Sequence, residues 1–483
     1  MSIKLSPVQE EIVAHGEGSL LVIAGPGSGK TRVLTERIRR LLSQEEGHFK
    51  ILALTFTNKA ANEMIERLKD TPNIETRAFI GTLHSFCTEV LANRGKAVGI
   101  EGLPHIFESF QDRKQILLQA VLEDDDLKEV LLKCGNSQQQ NAMLATWLNM
   151  VAERKNNLIL PEMIEDRLEQ RIYEGYNAGL KACAALDFDD LLLLTYRLFE
   201  ERPKISDFYR RQYRYICIDE AQDLNNAQYR VICALCSKSF RNVMMVGDPK
   251  QAIYAWNGAD IKYLGLFEKD FSAKKIFLNE NYRSSKAIVH AAQALDARYS
   301  LEGQLPIDGE IEIRAFDGEK QEAEFVIDRI ATLVDGGHKD IEGEVTLERC
   351  AVLGRTRYVF GKLEESLKQH EWTYYKQLSS QQDSESDLMK QFELALILLA
   401  NPLDRLHLGM LLKQWNLPIS VDDTLAPLDL SNLTGLSLLK RLNDQTQHQA
   451  TSAIWDAVGA LNWTESDFKL GPALNSLEKW FIA

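Results

Sequence analysis

From Val8 to Ile80, short unbroken apolar runs alternate with stretches of helical periodicity. Val8 to Ala14 follows Ser6 and Pro7, a cap and a first-turn proline, and reads as a short helix. Leu20 to Ala24 (LLVIA) reads as a buried strand; a Gly-rich turn follows, then a helix from about Lys30 to Leu42. Ile51 to Phe56 (ILALTF) predicts a second strand, Lys59 to Leu68 a helix, and Thr76 to Ile80 a third strand. Alternation of this kind predicts a parallel sheet with helices on both faces.

The pattern changes from about Leu91 to Pro203, where helical periodicities such as RKQILLQAVLED and LLLLTYRLFEE dominate. Strand signals return at Tyr215 to Ile218 and Asn242 to Val246, so an all-α insertion interrupts the first sheet. A second α/β region begins near Ile276, with strands expected in KIFL, EIEIRAF and ERCAVLG and helices at Gln321 to Leu333 and Lys362 to His370. Beyond about Gln377 the chain turns helical again (MKQFELALILLA, GLSLLKRL), and Ser379 to Ser386 is a polar loop or boundary. No repeat of fixed period is present.

The length of 483 residues corresponds to three or four domains at about 100–200 residues each. With 45% hydrophobic and 26% charged residues, the composition excludes disordered, collagen-like and disulfide-dense classes. A net charge of −14 argues against coating nucleic acid by bulk charge, so any such role needs local basic and aromatic grooves. Cys233 and Cys236 have metal-like spacing, but neither a second pair nor a His cluster accompanies them; the seven cysteines read as free thiols of a reducing cytoplasm. No secretory leader is expected at MSIKLSPVQEEIV, and no apolar run approaches the ~20 residues of a membrane span.

The chemistry is concentrated after the strands. Ala24-Gly25-Pro26-Gly27-Ser28-Gly29-Lys30-Thr31 lies between a strand and a helix, where small residues let backbone N–H groups close around phosphate oxygens. Lys30 would reach the β- and γ-phosphates and Thr31 would ligate Mg²⁺. Ala24 stands where the strict pattern has Gly. In YICIDEAQD, a buried-type strand delivers Asp219 and Glu220 at its C-terminal edge; Asp219 would hold Mg²⁺ and Glu220 would polarise the attacking water as general base. In VGDPKQAIYAWNGA, Asp248 and Gln251 follow a third apolar strand, and Gln251 would sense the γ-phosphate. Tyr254 and Trp256 lie in a Gly-flanked turn and suit base stacking, with an apolar core as the alternative place for either. Arg283, in LNENYRSS, would act as an arginine finger.

These elements, in this order, resemble superfamily 1 helicases of the UvrD/Rep/PcrA family. LSPVQ resembles the family's Q motif, which implies that Gln9 meets the adenine edge. TFTNKAA resembles motif Ia, implying contacts of Phe56 and Asn58 with single-stranded DNA. GTLHSF resembles motif Ib, implying that His84 approaches the DNA backbone. LDFDDLL, Leu186 to Leu192, is similar to the family's signature at the end of the helical insertion. AVLGRTRYVFGKLEESL resembles motif IVa, with Arg355 the recurring arginine on the DNA side. The resemblance covers roughly residues 1–375. It also implies that Arg32 and Tyr282 flank the nucleotide, with Tyr282 stacking on adenine, and that Tyr254 and Trp256 stack on bases. The implied fold is α/β: tandem RecA-like P-loop domains with parallel sheets, each carrying an α-helical insertion. The corresponding boundaries are 1–90 and 205–275 for motor domain 1A, 91–204 for insertion 1B, 276–378 for 2A and 379–483 for a 2B-like region. The implied activity is ATP- and Mg²⁺-dependent 3′-to-5′ movement on single-stranded DNA, with strand separation, in DNA repair or related metabolism.

Two departures stand out. Asn257 occupies a position where the family usually has Arg, which weakens one expected DNA contact. Residues 376–483 contain neither an HxxKGLE-like stretch nor an RRLxYVAxTRA-like one, so the second RecA-like domain is expected to be incomplete. The expectation that follows is of a chain that binds ATP–Mg²⁺ but hydrolyses and translocates poorly by itself. The alternative is a partner-dependent nucleotide- and single-stranded-DNA-binding module without processive unwinding, completed by a protein partner or tethered to a nuclease.

Overall fold

The computed structural model describes residues 4–44, 48–237, 240–296, 300–375, 387–430, 433–446 and 449–460. Its strands are β1 (Leu20–Ala24), β2 (Lys50–Thr55), β3 (Ala78–Thr82), β4 (His105–Ile106), β5 (Ala185–Leu186), β6 (Tyr213–Ile218), β7 (Val243–Gly247), β8 (Lys274–Leu278), β9 (Glu280–Asn281) and β10 (Glu302–Gly303). Six of them form one sheet in the order β3-β2-β6-β7-β1-β8. β2 runs parallel to both β3 and β6, and β6 parallel to β7. β7 is buried throughout and β2 from its second residue on, which is why they read as continuous apolar runs rather than alternating ones. Helices start where the sequence supplies caps: Thr57 accepts from the Ala60 N–H at 3.1 Å, Thr82 from Ser85 at 3.1 Å, and Asp187 and Asn225 each close a capping box.

Three expectations need correction. The third strand starts at Ala78 because Ile74–Arg77 forms a helical turn. KIFL, assigned to the second α/β region, lies in β8 of the six-stranded sheet: the Lys274 N–H donates to the Ser19 carbonyl at 2.9 Å and Gly25 N–H to the Leu278 carbonyl at 3.0 Å. EIEIRAF and ERCAVLG form no strand. With no ladder partner among the described residues, Ile313 and Leu353 stand 89% and 93% exposed, and the strand pairing of that region is the two-residue parallel pair β9–β10. The polar segment Ser379 to Ser386 lies outside the described residues, as does the end of the chain from Leu461 on.

The chain divides into two compact units, one of Met1–Ala14, Val22–Glu36 and Ile276–Ser380, the other of His15–Leu21, Arg37–Lys275 and Gln381–Ala483. In the first, the Glu319–Gly336 and Gly361–Gln369 helices pack through Ala323, Ile327 and Leu363. In the second, the helical insertion has its own core, including Leu117, Trp147, Tyr173 and Tyr176. The C-terminal helices, Asp387–Ala400 through Gln449–Gly459, surround Phe392, Leu398, Leu411, Leu438 and Ile454.

The two helical bodies of this unit are joined by a polar clasp. Leu406 enters the insertion's core, and Asn401 Nδ2 donates to the Cys183 carbonyl at 2.7 Å. His407 Nδ1 lies 2.6 Å from Asp404 Oδ2 and its Nε2 3.5 Å from Asp112 Oδ2, with Phe107 edge-on at 5.4 Å; His105 Nε2 meets Asp404 at 3.5 Å. Burial opposes the His407 charge, but the hydrogen bonds to Asp112 and Asp404 outweigh it and push the imidazole up to about 9. Because the folded value lies above the ordinary 6.5, this clasp contributes fully below pH 6.5 and its contribution is lost as pH rises through 9. Urea unfolding across that window should show stability falling by no more than the ~1.4 kcal/mol per pH unit that one proton allows, and His407→Gln should flatten the slope.

Candidate nucleotide and nucleic-acid sites

The first unit holds the phosphate-type loop. β1 ends at Ala24 and the Lys30–Gln44 helix begins at Lys30. Between them Gly27 and Gly29 have φ of +67° and +85°, the left-handed region, which turns successive N–H groups inward. A Cβ at Gly27 would come within 2.7 Å of Arg283 Cβ and one at Gly25 within 2.7 Å of Leu301, so both positions also require close approach. The loop is held from outside. Gln9 Nε2, buried, donates to the Ser28 carbonyl at 3.0 Å; Ser28 Oγ donates to the Gly25 carbonyl at 2.7 Å. Asn281 Nδ2 donates to the Pro26 carbonyl at 2.7 Å, and the Tyr282 N–H to the Gly27 carbonyl at 2.9 Å.

Lys30, Thr31 and Arg32 are half-buried at the helix start, and Tyr282 and Arg283 are exposed beside the loop. Thus the structure brings Gln9, the loop, Tyr282 and Arg283 together. It also gives Gln9 a second task, since the same amide that was expected at the adenine edge braces the loop backbone. Asn281 was quoted in the sequence motif but given no role. Its Oδ1 accepts from the Arg283 and Ser284 N–H groups at 3.0 and 2.8 Å, so one side chain fixes both the loop and the arginine. An Asn followed by two residues whose N–H groups need acceptors is a local Asx-turn signal that could have marked it.

The second unit holds the carboxylates. β6 delivers Asp219, buried, whose N–H donates to the Leu54 carbonyl at 2.8 Å and whose Oδ1 accepts from the Glu220 N–H at 3.0 Å. Glu220 sits at φ 50° and ψ 42°, a conformation that costs a non-glycine residue about 1–3 kcal/mol and points to a functional constraint. Gln222, buried and missed by the sequence reading, donates through Nε2 to Glu220 Oε2 at 2.9 Å and accepts the Asp248 N–H on Oε1 at 3.0 Å. A Cβ at Gly247 would fall 2.8 Å from that Oε1, so glycine is required where the two turns meet. The Gln251 N–H in turn donates to the Asp248 carbonyl at 2.9 Å, which ties Gln251 to the same network.

Beside the carboxylates runs an aromatic row. Phe56 and Tyr254 have ring centroids 4.7 Å apart, and Tyr254 and Trp256 6.1 Å. Trp256 is 81% exposed and Tyr254 half-buried against Phe56, so neither is a core aromatic. Asn58 is exposed in the first turn of the helix that Thr57 caps. His84 packs edge-on to Phe188 at 5.7 Å, and burial pushes its imidazole down to about 4. At neutral pH it therefore offers a hydrogen bond, not a charge. Phe56 and His84 line the same cleft as Asp219 and Glu220. Arg355, in the first unit, is exposed in the irregular segment before the Arg357–Phe360 turn.

No group of ligating residues resembling a resident metal centre occurs among the described residues. Cys233 and Cys236 are free thiols; burial pushes Cys233 up to about 11 and Cys236 further, as expected of inert packed cysteines. No described helix is long and apolar enough to cross a membrane. In the second unit the buried Asp219 carboxylate is a hard oxygen donor of the kind Mg²⁺ takes.

The family model of the UvrD/REP helicase N-terminal domain matches residues 5–272, and that of the UvrD-like helicase C-terminal domain matches residues 276–452. The ATP-dependent DNA helicase PcrA of Staphylococcus aureus is 35% identical over 383 residues, covering 76% of this chain and 50% of that protein. PcrA of Staphylococcus epidermidis is 35% identical over 374 residues, covering 74% of this chain and 49% of its own length. The chain therefore spans about half the length of the curated relatives it matches. With the phosphate-type loop, the carboxylate turn and the aromatic row in place, the chain belongs to the UvrD/REP helicase family.

Proposed function

We propose that this chain is a DNA-stimulated ATPase of the UvrD/PcrA type, whose hydrolysis drives 3′-to-5′ movement on single-stranded DNA and strand separation, in DNA repair or related metabolism within the cytoplasm. The observation that carries the reading is the shared cleft. The carboxylates expected to act on the nucleotide and the residues expected to meet DNA, Phe56 and His84, line one cleft, so occupancy of one can be felt at the other.

In this reading the N–H groups of Gly27 to Lys30 and the Lys30 ammonium bind the phosphates, and Gln9 and Tyr282 orient the base. Thr31 and Asp219 are the residues that would hold nucleotide-bound Mg²⁺, which would supply charge neutralisation to the phosphates. Glu220 accepts a proton from the attacking water, and Gln222 steadies its carboxylate through the hydrogen bond to Oε2. Gln251 reports the state of the γ-phosphate through Asp248, and Arg283 provides positive charge for the departing phosphate. Phe56, Tyr254 and Trp256 stack on bases, Asn58, His84 and Arg355 contact the backbone, and Asn257 leaves that row without an added cation.

The DNA arm is tested by anisotropy of a labelled oligothymidylate. Trp256→Ala should weaken binding by the ~1–3 kcal/mol of one stacked base, and unchanged affinity would remove Trp256 from the site. Polarity is tested with partial duplexes: displacement from a 3′ tail is expected, and displacement from a 5′ tail alone would contradict it. Nucleotide and DNA binding without stimulated turnover would favour the alternative of a partner-dependent binding module.

A further inference from the structure

A hydrogen-bonded chain joins the helical insertion to the carboxylate turn, and none of the roles above uses it. Asn156 is the last residue of the Ser137–Asn156 helix. Its Nδ2 donates to Asp189 Oδ1 at 2.9 Å, and its Oδ1 accepts from Asn225 Nδ2 at 2.7 Å. Asp189 lies in the first turn of the Phe188–Glu201 helix, whose start is anchored by the buried Lys155 ammonium, 2.9 Å from Asp187 and 2.7 Å from Asp190. The insertion end of the chain is therefore rigid.

At the other end, Asn225 is buried and caps the Asn226–Cys236 helix: its Oδ1 accepts from the Gln228 N–H at 2.9 Å, and its own N–H donates to Gln228 Oε1 at 2.9 Å. With those groups committed, the Nδ2 donor is what remains for a tertiary partner, and Asn156 supplies the acceptor. Asn225 closes the turn that begins at Asp219. The aromatic turn adjoins it: the Leu224 carbonyl accepts from the Asp260 N–H at 3.1 Å, and a Cβ built on Gly258 would meet Asn225 Cβ at 3.7 Å. Asn225 thus lies in the carboxylate turn next to the residue that ties it to the aromatic turn, and Asn156 reaches it from outside both.

We infer that Asn156 is a positioning residue through which the helical insertion sets the placement of the Asp219–Asn225 turn and of the aromatic turn packed on it. Removing the Asn156 side chain leaves a buried Asn225 amide without its acceptor, and a buried donor without a partner moves toward water rather than staying in place. Glu220 should then be displaced while the phosphate-type loop, Gln9 and Tyr282 of the first unit keep their own hydrogen bonds, which predicts a larger effect on turnover than on nucleotide affinity.

The kinetic part of the test rests on the proposed ATPase reading; the structural part does not. The full chain is compared with Asn156→Ala and with Asn157→Ala, an exposed neighbour whose Nδ2 donates back to its own helix at the Glu153 carbonyl at 3.0 Å. Amide hydrogen exchange over residues 220–228 should accelerate in Asn156→Ala and not in Asn157→Ala, with exchange in β2 and β3 unchanged. DNA-stimulated kcat should fall about tenfold while KM for MgATP stays within about twofold. Unchanged exchange over residues 220–228 in Asn156→Ala overturns the inference, as does equal loss in Asn157→Ala. Accelerated exchange in a chain that shows no turnover in any form supports the positioning role and rejects the ATPase reading instead.

Discussion

Glu220→Gln is expected to lower steady-state ATP turnover by about 10²–10⁴, the usual contribution of a positioned general base, while leaving MgATP binding nearly unchanged. The substitution is close to isosteric, and its amide oxygen can still accept the hydrogen bond from Gln222 Nε2 that Glu220 Oε2 receives at 2.9 Å. The left-handed backbone at position 220 is equally available to Gln, so the turn should keep its shape. What is lost is the basic oxygen that takes the proton from water. Single-turnover hydrolysis and fluorescent-nucleotide binding separate the two effects. Turnover within a few-fold of the unsubstituted chain would remove Glu220 from the role of base.

The second large effect is on stability. Lys155 is fully buried, and its ammonium is held by Asp187 and Asp190 while lying 5.0 Å from the centre of the Tyr176 ring. Tyr176 also donates to Asp187 at 3.0 Å. Burial works against the ammonium, but Asp187 and Asp190 outweigh it and raise its pKa; burial pushes Asp189 and Asp190 up to about 7 and about 6. Lys155→Met leaves Asp187 and Asp190 buried without the ammonium that contacts them, with Arg113 the remaining cation acting on the cluster, a loss of about 3–5 kcal/mol. At the slopes usual for urea, the midpoint should drop by more than about 1 M.

The sign of its pH dependence follows. Without the ammonium the folded-state carboxyl pKa values rise further above the ordinary 3.8, so the folded state binds more protons than the unfolded one. The variant should therefore recover part of its stability as pH falls from 8 toward 6, within ~1.4 kcal/mol per unit per proton. A loss under about 1 kcal/mol, or none of this recovery, would contradict the account of the cluster.

What the sequence made legible has a local physical signature. Asp219 and Glu220 follow a strand directly and Lys30 and Thr31 open the helix after the small-residue turn beyond β1; Leu20–Ala24 is a strand as the apolar pattern indicates, and the strand read from Tyr215 to Ile218 starts two residues earlier, at Tyr213. Trp256 was separable from a core residue only by its surroundings, because an exposed and a buried tryptophan look alike in a short turn. Gln222, Asn281 and Asn156 stayed hidden because their roles are tertiary: Asn156 meets Asn225 across 69 positions, and no periodicity records such a pairing. The failed strands at 310–316 and 348–354 show the converse. An apolar run or alternation is not sufficient for a strand, because a ladder also needs a neighbour.

The measurement that bears most directly on the central claim is steady-state ATP hydrolysis by the full 483-residue chain, with and without single-stranded DNA, against Lys30→Ala as the blank. The account predicts turnover, however slow, that rises with DNA and is absent in Lys30→Ala. Hydrolysis indistinguishable from the Lys30→Ala blank at saturating DNA would contradict it.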